Sequence, residues 1–165
     1  VHELIGGFVR PKRSVVTVFL HCSASDAIGK AYEGDGLVRT INSWHVARQF
    51  KDIGYHFVVD KSGVVLKGRS LERTPAAQAG HNTGSIAICA HGLKDFPPAQ
   101  LAAVKKLCEE INRAYGGWIS FHGHREVANK LCPVYAYAEL LNLTGTGHMA
   151  VQLIATERGK YVEVL

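Results

Sequence analysis

Apolar residues dominate SVVTVFLHC, from Ser14 to Cys22, and the polar Ser23-Ala24-Ser25 closes the run. A continuous apolar stretch bounded by a turn signal predicts a buried strand. In LVRTINSWHVARQF (37–50) the apolar positions Leu37, Ile41, Trp44 and Val46 suit one helical face and predict a helix. The next segment, IGYHFVVDKSGVVLKG, has β-branched and aromatic residues on both sides of Asp60-Lys61-Ser62-Gly63 and predicts a hairpin. Residues 69–84 are small and polar, a long loop of the kind that compact domains keep for function. SIAICA (85–90) reads as another buried strand. Pro97 and Pro98 open a helix with the stripe Leu101, Val104, Cys108, Ile111 and Tyr115, and Gly116-Gly117 end it. WISFHGH predicts a short strand and YAYAELLNL a last helix. In the tail, AVQLIAT and YVEVL flank Glu157-Arg158-Gly159-Lys160 like two short strands of a hairpin.

Strands alternating with helices, together with one clear hairpin, predict an α/β single domain with a central mixed β-sheet flanked by helices and an extra C-terminal β-hairpin. A chain of 165 residues suits one core. The main domain is expected over 1–143 and a C-terminal extension over 144–165. No apolar run approaches the ~18 residues that a membrane span needs, and VHELIGGFVRPKR lacks the pattern of a leader, so neither a signal peptide nor an anchor is expected.

Lysine and arginine number 19 against 14 acidic residues, a net charge of +5 that favours polyanionic surroundings such as nucleic acid or a bacterial envelope. The basic residues are scattered and are not interleaved with stacking aromatics, so no dedicated nucleic-acid binding is expected. The 4 cysteines raise the question of disulfides. Cys22, Cys89 and Cys108 fall on apolar strands or on the helical stripe, and a chain of this size needs no staples, so reduced thiols are expected.

His21 closes the first strand, where its imidazole can point into a cleft at the sheet's end while Cys22 points to the opposite side. His124 and Cys132 have seven residues between them in HGHREVANKLCP, on a segment short enough to fold back. Histidine and thiolate both suit zinc, whose catalytic sites use three protein ligands and leave a fourth position for water. A lone histidine after a strand is more often a surface or satisfied core residue, and a cysteine before proline more often filler. Ligand chemistry alone therefore leaves zinc as one reading among others.

FLHCSAS, the helix with INSWH, DIGYHFVV, the pair Gly68-Arg69, NTGSIAICAHG and HREVANKLCP, in that order from about residue 15 to 143, resemble the type-2 N-acetylmuramoyl-L-alanine amidases. Within that family the chain looks most similar to short phage endolysins and more distantly to peptidoglycan-recognition proteins. The resemblance implies that His21, His124 and Cys132 bind one zinc ion, while Tyr55 and Lys130 line the reacting centre. It implies hydrolysis of the amide between the lactyl group of N-acetylmuramic acid and the first L-alanine of the stem peptide. Lys130 would then stabilise an oxyanion and Tyr55 would orient water or the tetrahedral intermediate, with Glu126 ranked below Tyr55 as a proton carrier. His122 is not the implied ligand.

Peptidoglycan or a soluble muropeptide is the implied partner, and a monomer is favoured. Synthesis in the host bacterial cytoplasm, followed by release to the wall, is the implied setting. Two further readings stay open: a non-catalytic peptidoglycan-binding module and a cytoplasmic muropeptide-recycling amidase. One run departs from the family pattern: where members often carry Ala-His-Ala-x-Gly-x-Asn, this chain has Ala76-Ala77-Gln78-Ala79-Gly80-His81-Asn82. The histidine is missing, although His81 could approach from another angle. Asn129 stands in place of a common proline.

Overall fold

The computed structural model describes residues 7–150 and, for their backbone, 152–155 and 161–164. Residues 1–6, on which the expectation about a leader partly rests, and 151, 156–160 and 165 lie outside the described residues. The apolar run folds as β1 (Thr17–Cys22) and the hairpin as β2 (Phe57–Val59) and β3 (Val65–Lys67). SIAICA forms β4 (Ser85–Ala90), and β5 (Ser120–Gly123) follows the second helix. Together they make a five-stranded sheet in the order β3-β2-β4-β1-β5. The β2–β4, β4–β1 and β1–β5 pairs are parallel and the β2–β3 pair is antiparallel, so the sheet is mixed, with its one antiparallel strand at an edge.

The Asp60 carboxylate sets the hairpin turn by accepting from the Ser62 and Val64 amides, both at 3.0 Å, and from the Ser62 hydroxyl at 2.6 Å. Gly63, at φ 92°, supplies the left-handed residue that the turn needs.

The period-2 alternation of the strands sorts the core into two faces. On one face Val18, Leu20, Ile86, Ile88, Phe57 and Phe121 pack against Val104, Leu107, Cys108 and Ile111 of α2 (Pro98–Ala114). On the other, Val58, Leu66 and Cys89 meet Leu37, Val38 and Ile41 of α1 (Gly34–Ala47). His21 pairs in register with Cys89 and so emerges on the α1 side, at the carboxyl ends of the parallel strands, where open α/β sheets place their ligand crevices.

Three expectations change. The α1 helix starts three residues earlier than expected, at Gly34, and its buried face includes His45 while Val46 is 49% exposed. Gly36 makes the early start possible, because a Cβ there would lie 2.0 Å from the Lys30 carbonyl oxygen. YAYAELLNL is helical only over α3 (Tyr137–Leu140), since Tyr135 and Tyr137 anchor the segment in the core and Asn142 leaves the helix at φ 51°.

Beyond it the chain returns along β5: the Phe121 amide donates to Gly147 O at 2.7 Å and Met149 joins the main core. The strands β6 (Gln152–Ala155) and β7 (Tyr161–Val164) pair antiparallel as a separate ribbon. All four cysteines are free, and Cys22, Cys89 and Cys108 are buried. Among the described residues no helix is long and apolar enough to cross a membrane.

Candidate metal centre and its cleft

The last turn of β1, the end of β5 and the 124–132 segment meet at one point. There one ligand atom each from His21, His124 and Cys132 lie within 4.8 Å of one another. Donors at zinc-ligand distances around one tetrahedral ion stand about 3.3–3.8 Å apart. The Cys132 Sγ and His21 Nδ1 are 3.9 Å apart, close to that geometry without adjustment of the backbone. The rings of His21 and His124 pack with centroids 4.6 Å apart.

His21 is 1% exposed, and its Nε2 lies 2.8 Å from Gln78 Oε1. Burial, and after it the neighbouring His124, lowers the His21 pKa to about 3. Burial followed by the Lys130 charge lowers that of His124. Both imidazoles are therefore neutral near pH 7, the state in which histidine binds a metal. Cys132 accepts the Cys22 amide at 3.2 Å.

The Cys22 thiol also meets Cys132, which corrects the expected separation of Cys22 from the site. Strand alternation does turn the Cys22 side chain from His21, but Cys132 crosses the end of the sheet and reaches it. Contact with Cys132 lowers the Cys22 thiol, and contact with Cys22 together with burial raises that of Cys132. The donor set of two neutral imidazoles and one cysteine sulfur, which a bound metal would deprotonate, fits zinc.

A cleft of about 690 Å³ opens over this cluster. Tyr55, Lys130, His124 and Cys132 all line it, as do Trp44 and Arg48 from the α1 end. The Tyr55 ring packs at a tilt between His21 and His45, with both centroids at 5.2 Å. Burial raises the Tyr55 hydroxyl well above its ordinary pKa, so it stays protonated. The exposed Lys130 brings a positive charge close enough to depress both histidines.

Other candidates fall away from the cleft. Glu126 accepts from the Gly123 amide at 2.7 Å, from His122 Nδ1 at 2.9 Å and from the Tyr137 hydroxyl. That carboxylate holds the turn after β5 and does not line the cleft. His122 is committed to Glu126 and to Ser120 Oγ at 2.8 Å. His81 packs near Phe19 and does not line the cleft either.

Gln78, fully buried, is the residue that sequence reasoning missed. It was visible only as a polar residue in an otherwise small-residue run. Asn82 was missed too: its Oδ1 accepts the Ala77 and Gln78 amides at 3.0 and 2.9 Å and so shapes the loop.

The family model described as N-acetylmuramoyl-L-alanine amidase matches residues 11–135. The endolysin of Klebsiella phage KP32 is 33% identical over 126 residues, covering 72% of this chain and 80% of that protein. The endolysin of Escherichia phage T7 is 32% identical over 134 residues, covering 76% and 85%.

Among solved structures, N-acetylmuramoyl-L-alanine amidase LysC from Clostridium intestinale URNW superposes with a TM-score of 0.68 at 20% identity, covering 79% of this chain and 85% of that one. Drosophila peptidoglycan recognition protein SD gives 0.66 at 24%, covering 81% and 82%. These structures share the fold, and the family model and the phage relatives fix the lineage: the chain belongs to the N-acetylmuramoyl-L-alanine amidase family.

Proposed function

We propose that the protein is a zinc-dependent N-acetylmuramoyl-L-alanine amidase that hydrolyses the bond between the muramoyl lactyl carbonyl and the L-alanine nitrogen of peptidoglycan. The observation that carries this reading is the convergence of His21, His124 and Cys132 at the floor of a cleft that Tyr55 and Lys130 also line. His21 and His124 would hold the ion as neutral ligands and Cys132 as a thiolate. Zinc held by these residues would supply Lewis acidity to polarise a carbonyl and to make a water-derived nucleophile available near neutral pH.

The protein's own groups do the rest. The cleft takes the muramoyl-peptide junction. The Lys130 ammonium stabilises the negative charge that develops on the scissile carbonyl oxygen, and the Tyr55 O–H donates a hydrogen bond that orients the attacking water. The likeness to phage endolysins supports a lytic role, with synthesis in a host cytoplasm and action on the wall after release.

The test is digestion of purified sacculi by the wild type, by chelated and zinc-restored protein, and by Cys132→Ser, with products identified by mass spectrometry. New L-alanine amino termini are expected only where zinc and Cys132 are both present. Cleavage of glycan bonds, or of peptide bonds further along the stem, would refute the assignment. Binding without cleavage would point to a recognition module, and cleavage of soluble fragments alone to a recycling enzyme.

A further inference from the structure

We infer that Gln78 is a positioning residue: its side-chain amide fixes the tautomer of His21 and so presents the Nδ1 lone pair to the metal. This inference rests on the zinc reading above. It follows from a chain of hydrogen bonds anchored at two backbone carbonyls, which can only accept.

The Ser85 hydroxyl donates to the Asn82 carbonyl at 2.8 Å, leaving its oxygen free to accept. Gln78 Nε2 lies 2.6 Å from that oxygen and 3.3 Å from the His81 carbonyl, which can only accept. The NH2 end of the amide must therefore face Ser85 and His81, and the carbonyl end must face His21. Geometry of this kind is what assigns an amide's orientation. Gln78 Oε1 is an acceptor only, so the His21 Nε2 at 2.8 Å must carry the proton. A neutral imidazole holds one N–H, which leaves Nδ1 unprotonated and 3.9 Å from Cys132 Sγ.

Two further features argue for a specific role. Gln78 is 0% exposed, and burying a primary amide costs free energy that an apolar side chain would avoid. The loop that carries it is also fixed at its base, because Asn82 Oδ1 accepts both the Ala77 and Gln78 amides. Loop and strand thus deliver one acceptor to one ring nitrogen, the arrangement by which a partner outside the ligand set orients a metal-binding histidine.

The experiment measures zinc affinity by competition with a chromophoric chelator for wild type, Gln78→Leu and Gln78→Glu, and reads the His21 tautomer in metal-free wild type from imidazole nitrogen NMR shifts. Wild-type His21 should show the Nε2–H pattern. The leucine variant should bind zinc roughly 10–100-fold more weakly, the usual effect of losing such a partner. Glutamate loses the donor to His81 but still accepts the His21 N–H, with the Ser85 hydroxyl free to turn and donate to its other oxygen, and should bind zinc more tightly than the leucine variant.

An Nδ1–H tautomer in the wild type would overturn the inference even if the leucine variant fails to fold. So would zinc affinity in Gln78→Leu equal to wild type, or a loss in Gln78→Glu as large as that in Gln78→Leu. Failure of the wild type to bind zinc at all would instead refute the metal reading, and the tautomer measurement would still decide the Gln78–His21 relation.

Discussion

Acid should destabilise the fold through His56, and the size of the effect follows from the ring's surroundings. His56 is 1% exposed at the entry to β2. Its Nδ1 accepts the Ala87 amide at 3.0 Å, and its Nε2 lies 2.8 Å from the Arg73 carbonyl. A neutral ring protonated on Nε2 satisfies both contacts, whereas a second proton on Nδ1 would break the bond from Ala87.

Burial chiefly, with Arg13 and Arg69 adding to it and the Arg73 carbonyl opposing, lowers the His56 pKa to about 4. Below an unfolded value of about 6.5 the unfolded chain takes up a proton that the folded chain refuses, so stability falls with pH from about 6.5 until the folded ring titrates near 4. A gap of about 2.5 pH units at about 1.36 kcal/mol each corresponds to roughly 3 kcal/mol.

Urea unfolding of metal-free wild type and His56→Gln, from about pH 7.5 to about pH 4, isolates this contribution. Glutamine retains an acceptor for the Ala87 amide but does not titrate. His45, also lowered to about 4 by burial, titrates in both proteins and cancels in the comparison. The wild-type curve should fall more steeply than that of the variant, by close to one proton at mid-range. Parallel curves would refute the reasoning.

The remaining predictions concern the cleft. Tyr55→Phe keeps the ring contacts with His21 and His45 and removes only the hydroxyl; turnover on sacculi should fall on the order of a hundredfold, with zinc affinity unchanged. Lys130→Ala should lower turnover by a similar factor, and because Lys130 is exposed its thermal unfolding should match wild type. Gly54→Ala should disturb the loop that carries Gln78, since a Cβ there would stand 2.1 Å from the Ala76 carbonyl oxygen and 3.3 Å from His45 Nδ1. It would strain the bonds from the Gly54 amide to His45 at 2.8 Å and from the Ala76 amide to Gly54 at 3.2 Å. Unfolding should show a loss of roughly 2 kcal/mol, with weaker zinc binding alongside.

The sequence made some of these features legible and left others hidden, for physical reasons. The helix from Pro98 to Ala114 was readable because proline and glycine punctuate it and its stripe holds one period. The position of His21 was readable because β1 is buried along almost its whole length and ends where polarity returns. The four-residue helix at Tyr137 misled because two tyrosines of even spacing, both buried, govern that segment more strongly than helix propensity does. Cys22 misled because alternation along a strand says nothing of a residue arriving from another segment at the strand's end.

The loop at 76–82 shows where such reading stops. A missing histidine at Ala77 and a glutamine at position 78 read as one departure whose consequence for substrate was open. In the fold, Gln78 turns inward and bonds His21, 57 residues away along the chain, while Ala77 lines the cleft with no side chain to offer beyond a methyl group. Spacing encodes contacts within a helix or a strand pair, because the backbone there has one geometry. It does not encode a contact between an irregular loop and a strand end, where a few bonds to Asn82 and Ser85 decide which way an amide faces. The candidate ligands could thus be picked out by residue type and motif order, whereas the acceptor that faces His21 Nε2 comes from a residue whose type alone gave no such signal.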